Sequence, residues 1–152
     1  MKAAYITRTR PPDVIDLGEL PEPKTAPTEC LIKVGAVDVN PIDTYVRGGL
    51  VPAKINFPFI LGRDLAGTIV AVGDQVKRFK VGDRVWATNQ GFAGRQGTFS
   101  EFAAVDECWL HATPANVRDE DVVAVSLVGL TAHLGLFRDA KLKAGEIVFV
   151  NG

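Results

Sequence analysis

Two cysteines and two histidines in 152 residues leave little material for a metal centre or a disulfide framework. Cys30 and Cys108 stand far apart, without the paired spacing of a zinc knuckle, and His111 and His133 are isolated from each other and from both thiols. Buried free thiols, and histidines that pack or face solvent, are the expectation. Long apolar runs are lacking as well. No stretch nears the roughly 18 residues of a membrane-spanning helix, and Met1 to Arg8 has no apolar segment of the kind a secretory signal needs. Net charge is almost absent: 17 Lys and Arg against 18 Asp and Glu give -1, which argues against the basic footprint of a nucleic-acid binder. A content of 47% hydrophobic and 23% charged residues excludes a disordered tail. What remains is a soluble, cytoplasmic chain. Its length suits one ordinary domain, folding of which removes about 70% of the surface of the extended chain.

What is present in the first half is short β-branched and aromatic runs cut by Gly, Pro and Asp, the pattern of strands joined by tight turns. It predicts strands at Ala3–Ile6, Val14–Leu17, Cys30–Val39, Leu65–Val72, Asp83–Ala87 and Thr98–Ala104, with a short one near Cys108–Leu110. Neither alternate set of residues in Cys30–Val39 is cleanly polar, so that strand is expected to be buried on both faces. Pro11, Pro12 and the Pro21–Pro27 stretch cannot donate to a ladder and belong at edges or surface connections. Asp83 follows Gly82 in a turn, where a carboxylate accepts from local amides.

Asn40 to Gly49 predicts a short helix: a capping side chain at Asn40, Pro41 at the first helical position, an acid at Asp43, then Arg47 and the Gly48-Gly49 stop. Asp119, Glu120 and Asp121 suit the positive end of a second helix, carried on by Val122, Val123, Val125, Leu127 and Val128 and broken at Gly129. A third helix is expected over about Leu130–Asp139, with Leu130, Leu134 and Phe137 as its apolar stripe. Lys143 to Gly152 then reads as a turn feeding a parallel strand, Ile147–Val150, that stops at Gly152. Two helices and a hydrophobic strand suggest the start of an α/β unit. The expected division is therefore residues 1–127 and 128–152.

In order along the chain, five blocks resemble one family: Val39-Asn40-Pro41-Ile42-Asp43-Thr44-Tyr45-Val46-Arg47-Gly48-Gly49, Pro58-Phe59-Ile60-Leu61-Gly62-Arg63-Asp64-Leu65-Ala66-Gly67, Lys80-Val81-Gly82-Asp83-Arg84-Val85, Gly97-Thr98-Phe99-Ser100-Glu101-Phe102 and Leu130-Thr131-Ala132. The chain is similar to the zinc-independent quinone oxidoreductase (zeta-crystallin-like) family of the medium-chain dehydrogenase/reductase superfamily. The fold this implies is mainly β with α (α+β). A GroES-like, partly open β-barrel forms the substrate domain, followed by helices and the first strand of a truncated Rossmann domain. The implied activity is NADPH-dependent, metal-free hydride transfer to a quinone or α,β-unsaturated carbonyl, in an intact enzyme that pairs as a homodimer. Most of the NADPH site would lie beyond Gly152, so residues 1–152 alone should be inactive.

Zinc-dependent relatives carry a ligating Cys where this chain has Asn40 and a ligating His where it has Arg63. A guanidinium has no lone pair to give and an amide nitrogen does not replace a thiolate, so no metal is expected. Without one, a conjugated carbonyl must be polarised by hydrogen-bond donors. Asn40 and Tyr45 are the preferred catalytic and substrate-binding residues, the first offering donor and acceptor together, the second a ring and a hydroxyl. Asn40 and Thr131 are candidates for the nicotinamide end of the cofactor. Arg63 is a candidate substrate contact or the partner of Asp64 or Asp43 in an ion pair. Phe92, in the loop of Gly91, Gly94 and Gly97, is a candidate cover for an aromatic substrate. That loop is no dinucleotide cradle, because the segment after it reads as extended rather than helical. A stand-alone binding or assembly module without redox chemistry is an alternative reading, and a zinc alcohol dehydrogenase a lesser one.

Overall fold

The computed structural model describes residues 1–10, 12–51 and 55–151, so the expectations for Pro11 and Gly152 lie outside the described residues. Strand β1 (Lys2–Ile6) pairs antiparallel with β2 (Ile15–Glu19) on one side and with β4 (Phe59–Ile60) on the other, making a three-stranded sheet. Strands β3 (Glu29–Asp38), β5 (Asp64–Val72), β6 (Arg84–Ala87), β7 (Phe102–Asp106) and β8 (Leu110–Ala112) form a second antiparallel sheet in the order β7-β3-β5-β6-β8. The two sheets meet where Ala4 N–H donates to the Phe99 carbonyl (2.8 Å) and Glu101 N–H to the Lys2 carbonyl (3.0 Å). They do not close into one barrel. This is the partly open arrangement expected of the GroES-like resemblance.

Ladder geometry explains where strand expectations shifted. Thr98 and Phe99 both donate to the Leu61 carbonyl, so this stretch crosses between the sheets and the strand begins only at Phe102. Glu107–Trp109 forms a 3₁₀ turn, started by the Asp106 carboxylate accepting from Cys108 N–H (2.9 Å), and the strand follows it. Cys108 is consequently exposed, against the expectation of burial, whereas Cys30 is fully buried. In β3 only Cys30, Leu31 and Ile32 are buried in succession; from Lys33 onward exposed residues alternate. There Ala36 packs beside Val122 and Val123, while Lys33 and Val37 are exposed. Between Val34 and Ala36 the register slips by one, leaving Gly35 unpaired in a bulge opposite Gly67. A Cβ on Gly67 would lie 2.2 Å from the Lys33 carbonyl oxygen, so only glycine fits.

Helix α1 (Pro41–Gly48) forms as the sequence dictates, closed by Gly49 at φ 73°, the left-handed geometry of a helix stop. Ile42 and Val46, one turn apart, seat it on Ile6, Val14, Phe59 and Leu61. A larger core of Ile32, Leu65, Ile69, Val85, Val105 and Leu110 fills the second sheet. Helix α2 (Asp119–Ala124) docks Val122 and Val123 on Ala66, and its acidic first turn is tied to β6 by Arg84–Asp119. The chain breaks at Val125 rather than at Gly129, and α3 (Ser126–His133) runs through that glycine into a π-helical turn, Leu134–Asp139. After Ser126 no described residue is buried, so the Leu130, Leu134 and Phe137 stripe covers nothing. Ile147–Val150 takes up no ladder: its residues are largely exposed, Ile147 at 99% and Phe149 at 88%, and a strand without a partner leaves its amides to water.

Candidate functional site

Where β5 begins, Asp64 is fully buried and gathers three separate parts of the chain. Its Oδ1 accepts from the Thr88 hydroxyl at the end of β6, at 2.5 Å, and its Oδ2 accepts from Asn40 Nδ2 (2.9 Å) before α1 and from Leu127 N–H (3.3 Å) in α3. Burial pushes the Asp64 carboxyl above its usual range, and the Thr88, Asn40 and Leu127 donors pull it back. The Leu127 amide and the Asn40 Nδ2 can only donate, so Oδ2 must accept from both.

That requirement fixes Asn40. Its side chain is 99% buried and stands in a capping-box arrangement at the start of α1: Asp43 Oδ2 accepts from Asn40 N–H at 2.8 Å, while the Asn40 side chain lies toward the Asp43 N–H without forming a full hydrogen bond to it. With Nδ2 committed to Asp64, Oδ1 is left as a buried acceptor with no partner. The residue read as offering donor and acceptor together therefore has only an acceptor to give. A buried carbonyl oxygen without a donor costs about 1–3 kcal/mol, so the arrangement is suited to a ligand N–H or O–H.

Arg63 points its charge elsewhere than expected. It is 94% buried, yet it makes no ion pair with Asp43 or Asp64 within 4.0 Å among the described residues. Its guanidinium lies over the Phe92 ring, 5.5 Å from the centroid, and Nη1 donates weakly to Asn89 Oδ1 at 3.4 Å. Asp64 is occupied by three donors, and Asp43, with one, acts on the guanidinium through its field rather than through a contact. Burial lowers the Arg63 pKa, opposed by the fields of Asp43 and Asp64. The Asp43 carboxyl is pushed up to about 6 from 3.8, by burial first and against the Asn40 amide and the Arg63 charge.

Tyr45, at 48% exposure, lies on the flank of α1, one turn on from Ile42 and beside the face by which Ile42 and Val46 hold the helix down. Thr131 is exposed on α3, its hydroxyl donating to the Leu127 carbonyl at 2.8 Å, so only its lone pairs are free. No hydrogen bond links Tyr45 or Thr131 to Asn40, Arg63 or Phe92 among the described residues. The structure thus brings together Asn40 with Asp64, and Arg63 with Phe92. Sequence reading weighed Asp64 only as a pairing partner for Arg63 and passed over Thr88. One signal was available: Asp64 is a carboxylate opening an otherwise apolar strand, and a charge there needs partners.

A groove of about 540 Å³ lies apart from these residues, along the free edge of β7 and lined by Leu20, Pro58, Arg95, Gln96 and Ala104 among others. Its polar groups are mostly engaged already: Arg95 stacks on Trp109 (4.6 Å), Asp106 accepts from Thr28, and the terminal amine of Met1 donates to Leu20. Arg95 Nε, on this groove, is buried without a partner just as Arg63 Nε is, so what sets the α1–β5 region apart is the unpartnered Asn40 oxygen beside the buried Asp64. Neither histidine joins it, since His111 stacks on Trp86 and His133 leans on Phe137. No helix is long and apolar enough to cross a membrane, and no group of three His, Cys, Asp or Glu gathers as a metal site, both among the described residues.

Comparison with known proteins follows the same line. The alcohol dehydrogenase GroES-like domain profile matches residues 26–115. A quinone oxidoreductase of Lama guanicoe is 35% identical over 153 residues, covering 100% of this chain and 45% of its own length. The quinone oxidoreductase structure from Pseudomonas syringae pv. Tomato DC3000 superposes with a TM-score of 0.85 at 35% identity, over 95% of this chain and 43% of that one. The Escherichia coli quinone oxidoreductase complexed with NADPH gives 0.84 at 29% identity, over 92% and 41%. The chain therefore spans a little under half the length of these relatives.

Proposed function

Because the chain belongs to the alcohol dehydrogenase GroES-like domain family, on its quinone oxidoreductase-like branch, we propose that it forms the substrate-side portion of an NADPH-dependent reductase of quinones or α,β-unsaturated carbonyls. The observation that carries this reading is the polarity of Asn40. Held by Asp64, it keeps a buried acceptor without a partner, and the carboxamide N–H of a nicotinamide is a donor whose chemistry fits it. NADPH, when bound, would supply the hydride. Asn40 would hold the cofactor's amide, with Thr131 near the same end.

Tyr45 is the free donor of the set, and its hydroxyl would stabilise the oxygen on which charge gathers as the conjugated carbonyl is reduced. Arg63 and Phe92 would flank the substrate. The donor set favours chemistry without zinc, since an amide oxygen and a protonated guanidinium do not make a metal cage. Residues 1–127 would be the substrate unit, and residues 128–152, none of them buried where described, would begin the cofactor unit. The intact reductase would work in the cytoplasm. Titration with 2-cyclohexenone, followed by NMR of the chain, tests the site: shifts should centre on Tyr45 and the Asn40 side-chain amide. Shifts confined to the groove along β7 would reject it.

A further inference from the structure

Arg63 is the one feature of this region that the proposed reduction does not require in its charged form. A guanidinium removed from water costs several kcal/mol unless an anion pairs with it. Here 94% of the residue is buried, and among the described residues Nε has no partner and the one hydrogen-bond acceptor of the guanidinium is Asn89 at 3.4 Å. Asp43 and Asp64 act on it through their fields, but neither comes within 4.0 Å to pair with it. Arg95 adds a like charge from the same loop.

The loop itself is built around the guanidinium. Gln90 N–H donates to the Arg63 carbonyl at 3.1 Å, and the backbone then passes through positive φ at Asn89 (61°), Gly91 (62°), Ala93 (53°) and Gly94 (86°). Positive φ is uncommon at Asn and strained at Ala, so packing or function must hold it. The result sets Asn89 on one side of the charge and Phe92 beneath it. Phe92 is 41% exposed, with the Arg63 guanidinium over its ring at 5.5 Å from the centroid. A planar fork with a ring next to it matches a carboxylate on an unsaturated frame.

We propose that Arg63 and Phe92 form an anion-recognition point, so that the molecule taken by this cleft carries a carboxylate conjugated or adjacent to the group that is reduced. The proposal rests on the reductase reading for its location, but the charge preference is a separate claim. Benzoate, with benzamide as the neutral isostere, is the probe, and the readout is NMR of the 152-residue chain. Benzoate should shift the Arg63 Nε–H and the Phe92 ring, and benzamide should not. Replacing one charge-assisted contact, Arg63→Gln should weaken benzoate about tenfold or more. If that variant does not fold, Arg63→Lys, which keeps the charge and loses the fork, should weaken it severalfold.

Equal shifts by benzoate and benzamide, no shift at Arg63, or unchanged affinity in the variants would overturn the proposal. The two readings fail separately. If 2-cyclohexenone perturbs Tyr45 while benzoate ignores Arg63, the reductase site stands and the acidic substrate is wrong. If benzoate binds Arg63 but the enone perturbs neither Tyr45 nor Asn40, the anion point is cut off from any reducing cleft, and the proposal falls as stated.

Discussion

Asp64 can be tested with a pair of substitutions whose costs should differ sharply. Asp64→Ala removes the acceptor for the buried Asn40 Nδ2 (2.9 Å) and the half-buried Leu127 N–H (3.3 Å), while the Thr88 hydroxyl, the third donor, is free to rotate away. Each unsatisfied group costs about 1–3 kcal/mol, so the loss should be about 2–6 kcal/mol. Asp64→Asn keeps the shape and one carbonyl oxygen, which can still accept from both. Its new amide faces Thr88, whose hydroxyl now donates at 2.5 Å but can rotate and accept instead. The cost should then be about 1 kcal/mol, the difference between a charged and a neutral acceptor. Adding Thr88→Val removes that escape. Thr88→Val alone already leaves Asp64 Oδ1 without its donor, so the two losses share one contact and the double variant should lose less than the sum of its parts by about 1 kcal/mol. Urea unfolding monitored by circular dichroism measures all four. Equal losses for Asp64→Ala and Asp64→Asn, or strict additivity with Thr88→Val, would refute the network as described.

Two further outcomes follow from the same geometry. The Asp43 carboxyl titrates near 6 when folded and near 3.8 when unfolded, so the folded state binds the extra proton between those values. Stability from this group is therefore full below about pH 4 and falls by about 3 kcal/mol as pH rises through 6; Asp43→Asn should flatten that portion of the unfolding-versus-pH curve, and an unchanged slope would contradict the assignment. Gly67→Ala drives a methyl to 2.2 Å from the Lys33 carbonyl. It should cost at least the about 1–3 kcal/mol of an overpacked core, and a thermal midpoint equal to that of the parent would show that the bulge opens readily.

Local signals made the fold readable and non-local ones hid the site. The Asn40-Pro41 start, Asp43 and the Gly48-Gly49 stop act within one helical turn, so α1 came out as expected. Thr98–Glu101 has the composition of a strand, but its amides are claimed by Leu61 and Lys2, far away in sequence, and no local pattern announces that crossing. Gly129 reads as a breaker on propensity; helix α3 passes through it because the interruption had already occurred at Val125. Asn40 was legible as important, yet its polarity depends on Asp64, 24 residues on, and Asp64 depends on Leu127, 63 further. Arg63 looked like half of an ion pair because two carboxylates stand close in sequence. The fold holds its guanidinium more than 4.0 Å from both and over Phe92, a separation that closeness in sequence does not show.

The central claim is a reducing cleft that works through Tyr45 and Asn40 without a metal. Fusing residues 1–152 to the cofactor-binding half of the Escherichia coli relative, and following NADPH consumption at 340 nm with a neutral quinone in excess EDTA, tests it most directly. The account predicts turnover that EDTA leaves intact and that Tyr45→Phe lowers by about tenfold or more, the range of a lost oxyanion donor. Activity that vanishes with EDTA and returns with zinc, or that ignores Tyr45→Phe in a folded fusion, would contradict it.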